Sequence, residues 1–255
     1  MTAADWGLLM AAAFAAGWVD AVVGGGGLIL LPAILVVAPQ LSAQAALATN
    51  KMTAVFGTFT AVATFSRRIA LDWRVMVPAG TLAAVAAACG AAAVSLIDRD
   101  LFIPIIMVVL VGVAVLVTAR PTIGTSTSLH PPSRRKIGVV VFLTAGGFGF
   151  YDGILGPGTG TFFIIAFATL LGTEFVRSAA MAKVLNLGSN IGALAFFAAT
   201  GYVMWQLGAA MAVCNVIGAL LGSRTALSRG SGFVRIVLLV VVIGMVIRLG
   251  WQQFG

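Results

Sequence analysis

The chain has 255 residues, 61% of them hydrophobic and 9% charged. Soluble domains carry about 25% charged residues, so this composition excludes a soluble globular fold and predicts a polytopic membrane protein. The net charge of +8 comes from basic residues that fall between apolar runs; that pattern sets topology by the positive-inside rule, and no nucleic-acid partner is expected.

The first apolar run extends from Trp6 to Ala38 and contains Asp20-Ala-Val-Val-Gly-Gly-Gly-Gly27. Four successive glycines cannot hold a stable helix, because each gives up too much backbone entropy. The run is too long for one span of about 20 residues and too short for two spans plus a turn. It reads as a helix over 6–23, a break, and a half-helix over 28–38. Broken backbone and a carboxylate are tolerated at membrane depth only where protein or a water-filled cavity covers them. The break is therefore a candidate binding site. No basic n-region opens the run, so this helix is expected to be retained.

Pro39-Gln-Leu-Ser42 precedes a predicted span over 43–65, followed by Arg67, Arg68 and Arg74, with Trp73 as an interface anchor. Further spans are predicted over 75–97 and 101–119, joined by the polar turn Asp98-Arg-Asp100. Residues 120–136 are polar, rich in Ser, Thr and Pro, and end in Arg134-Arg-Lys136; they read as a cytoplasmic linker, with His130 solvated. Then come a helix over 137–153, a Gly/Pro break at 156–160, a short helix to 171, and spans over 178–200, 204–222 and 233–250. Cys89 and Cys214 sit in different apolar helices and read as packing residues.

The second part repeats the first. Gly17-Trp-Val-Asp20-Ala-Val-Val-Gly24 aligns with Gly149-Phe-Tyr-Asp152-Gly-Ile-Leu-Gly156 at an offset of 132. The same offset pairs Lys51 with Lys183 and Trp73 with Trp205. The chain has only three lysines, Lys51, Lys136 and Lys183, so this match is not cheap. The expected fold is all-α, with two repeats (1–119 and 137–255), each a broken helix pair plus three transmembrane helices, 8–10 membrane segments altogether. An odd number of crossings per repeat makes the repeats inverted. With the arginine-bearing loops inside, both termini lie outside a bacterial inner membrane.

Inverted repeats with broken helices place a substrate between the copies near mid-bilayer. The half-helices starting near Leu28 and Gly160 aim free N–H groups and positive dipole ends at the breaks. Lys51 lies about eight residues into its span, roughly 12 Å deep, with Lys183 a little shallower. The candidate substrate-binding residues are Gly25, Gly26, Gly27, Thr49, Asn50, Lys51, Gly158, Thr159, Gly160, Lys183, Asn186 and Asn190, with Thr161 and Ser189 nearby. Asp20 and Asp152 are assigned to charge pairing or to a coupling H+ or Na+. Paired within each repeat, Asp20–Lys51 and Asp152–Lys183 would simply pin each broken pair to the next span. Gly218-x-x-x-Gly222 reads as a helix-packing motif. No catalytic constellation is visible, and neither enzymatic activity, a cofactor nor a metal centre is expected. A small-anion transporter leads; a passive anion channel, a carrier of a metal cation held by the aspartates, and a receptor or assembly factor are the alternatives.

Gly17-Trp-Val-Asp-Ala-Val-Val-Gly-Gly-Gly-Gly-Leu28 with Ala46-Leu-Ala-Thr-Asn-Lys51, and Gly149-Phe-Tyr-Asp-Gly-Ile-Leu-Gly-Pro-Gly-Thr-Gly-Thr-Phe162 with Ala182-Lys-Val-Leu-Asn-Leu-Gly-Ser-Asn190, resemble the sulfite exporter TauE/SafE family, also called toluene-sulfonate uptake permeases. The match is nearest the YfcA-like branch and covers nearly the whole chain. The resemblance implies a bacterial inner-membrane secondary transporter of sulfite or organosulfonates. The half-sites are not identical, since Pro32 has Ile164 as its repeat mate.

Overall fold

The computed structural model describes residues 1–94 and 133–254. The predicted turn at 98–100, the span over 101–119 and the linker up to residue 132 lie outside the described residues. The described residues form eight helices in chain order: α1 (Ala3–Val23), α2 (Gly27–Val37), α3 (Ala43–Ser66), α4 (Trp73–Ala93), α5 (Arg134–Ile154), α6 (Thr159–Leu170), α7 (Phe175–Ala199) and α8 (Trp205–Phe254). Five of the helical stretches, α1, α4, α5, α7 and Trp205–Gly230 of α8, are long and apolar enough to cross a membrane. α3 is as long, but it carries Thr49, Asn50, Lys51, Thr53 and Thr58 buried along its length. This is a polytopic, all-helical membrane protein.

Local chemistry shifts several predicted boundaries. Thr2 and Asp5 form a reciprocal capping box, so α1 begins at Ala3 and not at residue 6. Ser133 accepts from the Lys136 N–H, and Arg134-Arg-Lys136 form the first turn of α5 rather than the end of a linker. α7 starts at Phe175, three residues before the predicted 178. The two predicted spans over 204–222 and 233–250 are two helices that meet without a loop at Gly230 (φ 71°), where the backbone leaves the helix, and α8 covers both. Arg224 and Arg229, which fall between those two predicted spans, therefore stand on a helix.

Helix directions follow from the contacts. Arg67 and Arg68, just past the end of α3, share a cavity with Arg224 of α8. Asp72 and Arg74, at the start of α4, share another with Arg134 at the start of α5 and Arg177 near the start of α7. These arginines gather at one end of the molecule. α1 lies parallel to α8, with Gly218 against the Phe14 carbonyl and Gly222 against the Trp18 carbonyl, so the predicted packing role of the Gly-x-x-x-Gly pair holds. α1 and α3 thus both run toward the arginine end, and α2 between them must run back. α5 and α7 both leave the arginine end, so α6 runs back toward it. Each broken pair is a hairpin that returns to the end it came from, and the two hairpins enter from opposite ends. Trp73 and Trp205, both exposed, start α4 and α8 at opposite ends, where they suit the two water–membrane interfaces. Cys89 is also exposed, on the outer face of α4, and not packed inside as expected.

The hairpin tips meet. The Thr161 hydroxyl donates to the Val23 carbonyl at 2.8 Å. Gly24 (φ 78°) lies so close to Gly160 that a Cβ on either would overlap the other's backbone. Apolar clusters lie on either side. One, toward the arginine end, includes Val22, Val23, Phe65, Met76, Phe163 and Phe167. The other includes Leu9, Leu30, Leu47, Leu155, Phe197 and Met211.

Candidate functional site

Lys51 and Lys183 each lie eight residues from the start of their helices, Ala43 of α3 and Phe175 of α7. Both are therefore roughly 12 Å along the axis. The expectation that Lys183 is shallower is corrected by the earlier start of α7. Lys51 is 1% exposed and Lys183 0%.

The pairing crosses between the halves. Lys51 Nζ lies 2.7 Å from Asp152 Oδ2, and Lys183 Nζ lies 2.8 Å from Asp20 Oδ2. The pairs Asp20–Lys51 and Asp152–Lys183 considered from the sequence are not formed. The reason is axial level. Lys51 is 16 residues before Arg67, about 24 Å from the arginine end; Asp152 is 18 residues past Arg134, about 27 Å from that end. Asp20 sits near the end of α1 that points toward the arginines, far from the level of Lys51. Opposite entry of the hairpins places each aspartate beside the other half's lysine.

The surroundings differ between the pairs. Lys51 Nζ also donates to Asn190 Oδ1 at 3.1 Å, and Asn190 Nδ2 donates to the Thr58 hydroxyl at 3.3 Å. Asp152 is 1% exposed, and its Oδ2, though 2.7 Å from the ammonium, receives no directed hydrogen bond. The Asp20 side chain is 17% exposed, and its Oδ1 accepts from Gly26 N at 3.4 Å, the residue that opens α2. The carboxylate thus rests at the positive end of a half-helix.

The other candidates divide into free and committed groups. The Thr49, Thr159 and Thr161 hydroxyls and that of Ser189 donate to backbone carbonyls, which uses their one O–H donor and leaves them only as acceptors. Gly25 accepts from the Leu28 N–H across the first break. Gly27 lies beside Pro157 and the Asn50 amide, Gly158 (φ 82°) caps α6, and Gly160 makes the tip contact. Asn50 and Asn186 are 4% and 5% exposed, and among the described residues their side-chain amides have no hydrogen-bond partner. Their donors and acceptors are thus not used by the described residues.

Three polar side chains escaped the sequence reading. Thr58 is the repeat mate of Asn190 at the offset of 132, and that offset was the signal that would have found it. Asn215 donates to the Ala13 carbonyl at 2.9 Å and ties α8 to α1. Tyr151 donates to the Pro157 carbonyl at 2.7 Å and closes the second break; its mate in the first half is Val19, which has no hydroxyl. Tyr151→Phe is expected to cost about 1 kcal/mol in unfolding stability, with the loss confined to the α5–α6 tip. Hydrogen exchange at residues 155–160 checks this, and unchanged protection there would rule out the clamp. Among the described residues, no three His, Cys, Asp or Glu side chains gather as a metal site would need.

The family model described as sulfite exporter TauE/SafE matches residues 9–249. The chain belongs to the TauE/SafE family. A relative from Escherichia coli (strain K12), named "Probable membrane transporter protein YfcA", is 35% identical over 98% of this chain and 91% of that protein. The "Probable membrane transporter protein ORF9" of Sinorhizobium sp is 35% identical over 94% of this chain and 90% of its own length. A "Probable membrane transporter protein" of Haemophilus influenzae is 30% identical over 97% of this chain and 96% of its own length. No solved structure matches the chain. Membership of the TauE/SafE family makes this protein a membrane transporter and not an enzyme.

Proposed function

We propose that the protein is a secondary transporter of a small sulfur-containing oxyanion, sulfite or an organosulfonate, working by alternating access between two inverted repeats, 1–119 and 134–255, joined by a cytoplasmic linker that ends at Ser133. The observation that carries this reading is the exchanged pair Lys51–Asp152 and Lys183–Asp20. Each bridge ties the hairpin of one half to the lysine helix of the other, so motion of one half against the other must work on both bridges.

Other contacts support the repeat. They occur in the exchanged sets that a two-fold axis produces: Gly17 on Asn215 with Gly149 on Ala83, and Gly90 on Phe150 with Gly222 on Trp18. Thr58 and Asn190 are mates that touch each other, as residues on such an axis would. Corresponding helices run in opposite directions relative to the arginines, the arrangement of an inverted repeat. The arginine end is then cytoplasmic, and both termini lie on the outer face of a bacterial inner membrane.

In the closed pairs each ammonium is neutralised by a carboxylate. An arriving oxyanion competes with that carboxylate for the ammonium and takes hydrogen bonds from Asn50 and Asn186. Two anions facing one buried cation leave an uncompensated charge, which costs several kcal/mol in low dielectric. A proton on the displaced aspartate removes that charge, so each oxyanion moves with H+. Flux of labelled sulfite and of an alkylsulfonate into proteoliposomes tests the reading. Lys51→Ala and Lys183→Ala should each lower the rate by more than about tenfold, and a pH gradient should drive uptake. Wild-type flux in both variants would remove the lysines from the mechanism. Conductance far above carrier turnover, without gradient coupling, would make the protein a channel.

A further inference from the structure

Arg67, Arg68 and Arg224 line a cavity of about 600 Å³ between the end of α3 and α8. Its other walls are Thr64, Leu220, Leu227 and Ser228, and no acidic residue lines it. Among the described residues none of the three arginines is ion-paired, and the described salt bridges are the two at the hairpin tips. The hydroxyls of Thr64 and Ser228 donate to carbonyls of their own helices, so the guanidinium groups are the free donors. At the offset of 132 the mates of the arginines are Ala199, Thr200 and Ala92. The cations are thus an addition to one end of the molecule, absent from the matching positions of the repeat.

The positive-inside rule accounts for arginines at one end of a membrane protein. It does not ask that three of them, from two helices, share one concavity with leucines. Bringing unpaired like charges together is unfavourable, and a phosphate group offsets that cost by accepting bidentate hydrogen bonds from guanidinium. We propose that this cavity binds the phosphate of an anionic phospholipid headgroup, with Leu220 and Leu227 against the start of its acyl chains. A basic pocket between helices at the membrane surface has the chemistry to hold such a headgroup. The site is separate from the four charges at the hairpin tips and does not depend on which anion is carried.

Purified full-length protein in nanodiscs, probed by native mass spectrometry, tests the proposal. Phosphatidylglycerol should be retained in preference to phosphatidylcholine. Arg224→Gln should weaken retention about fivefold, and Arg67→Gln/Arg68→Gln further, since each cation near the surface contributes on the order of a fivefold change. Arg229→Gln is the control: Arg229 lies on the same helix but outside the cavity, over the ring of Phe233. It should leave retention within twofold, and all variants should keep the wild-type unfolding midpoint. Equal weakening by Arg229→Gln would reduce the effect to a general surface field and overturn the site. So would saturation of the cavity by inorganic phosphate or sulfite with no competition from phosphatidylglycerol. Loss of sulfite flux in Lys51→Ala with lipid retention unchanged leaves the lipid site standing.

Discussion

Lys51→Ala is expected to destabilise the protein by about 3–5 kcal/mol, because it leaves the Asp152 carboxylate buried without its cation. Asp152 is 1% exposed and its Oδ2 has no hydrogen bond to fall back on. Lys183→Ala should cost less, because the Asp20 side chain is 17% exposed and keeps the Gly26 N–H. Double-mutant cycles read from unfolding in a fixed detergent then report the pairing directly. Coupling should be large for Lys51 with Asp152 and for Lys183 with Asp20, and within about 0.5 kcal/mol of zero for Lys51 with Asp20. The reverse pattern would mean that the bridges lie within the repeats. Replacing the whole pair, Lys51→Met with Asp152→Leu, should recover most of the lost stability, since an apolar pair avoids the desolvation cost of both ions. It should not recover flux. That split separates a charge needed for transport from one needed only for assembly.

Gly24→Ala should cost about 2–4 kcal/mol, the second large effect. Two penalties add there. The residue holds φ at 78°, where a Cβ is strained, and the new methyl would collide with the backbone of Gly160. Gly160→Ala meets the same contact from the other side, without the positive φ, and should cost somewhat less. Gly147→Ala is the matched control. It lies inside α5 with nothing within 4 Å of its would-be Cβ, so the substitution should gain about 0.5–1 kcal/mol from helix propensity. If Gly24→Ala behaved like Gly147→Ala, the hairpin tips would not be in contact. Because the tips bear on each other, the same variant should also slow transport, which a stability-matched substitution elsewhere would not do.

Much of the local structure was legible in the chain. Gly24 to Gly26 and Leu155 to Gly158 interrupt helices where glycine and proline demand it. The errors of three residues at Ala3 and Arg134 came from caps, whose hydrogen bonds extend a helix into polar sequence that hydropathy assigns to a loop; α7 also starts three residues early, at Phe175, without a side-chain cap. Arg224 and Arg229 lie inside a helix although the predicted spans leave them between, since charge alone does not stop a helix. Thr58 was findable as the mate of Asn190 at the offset of 132, but Tyr151 and Asn215 could not be distinguished from the many other polar residues in these helices: Asn215 is marked by a partner 202 residues away, and Tyr151 bonds across a break that hydropathy shows only as a gap.

By itself the sequence determined a membrane-embedded helical protein, a set of residue matches at an offset of 132, and four charges set beside two broken segments. Composition, backbone entropy and the cost of burying charge are local properties, and they sufficed for that. Only the tertiary structure decided that the hairpins return to the end they entered from, that their tips touch at Gly24 and Gly160, and that each lysine reaches across to the other half's aspartate. Spacing along a chain gives the depth of a residue in its own helix. Which residues share a level depends on the directions of the helices around it, and those are settled by packing.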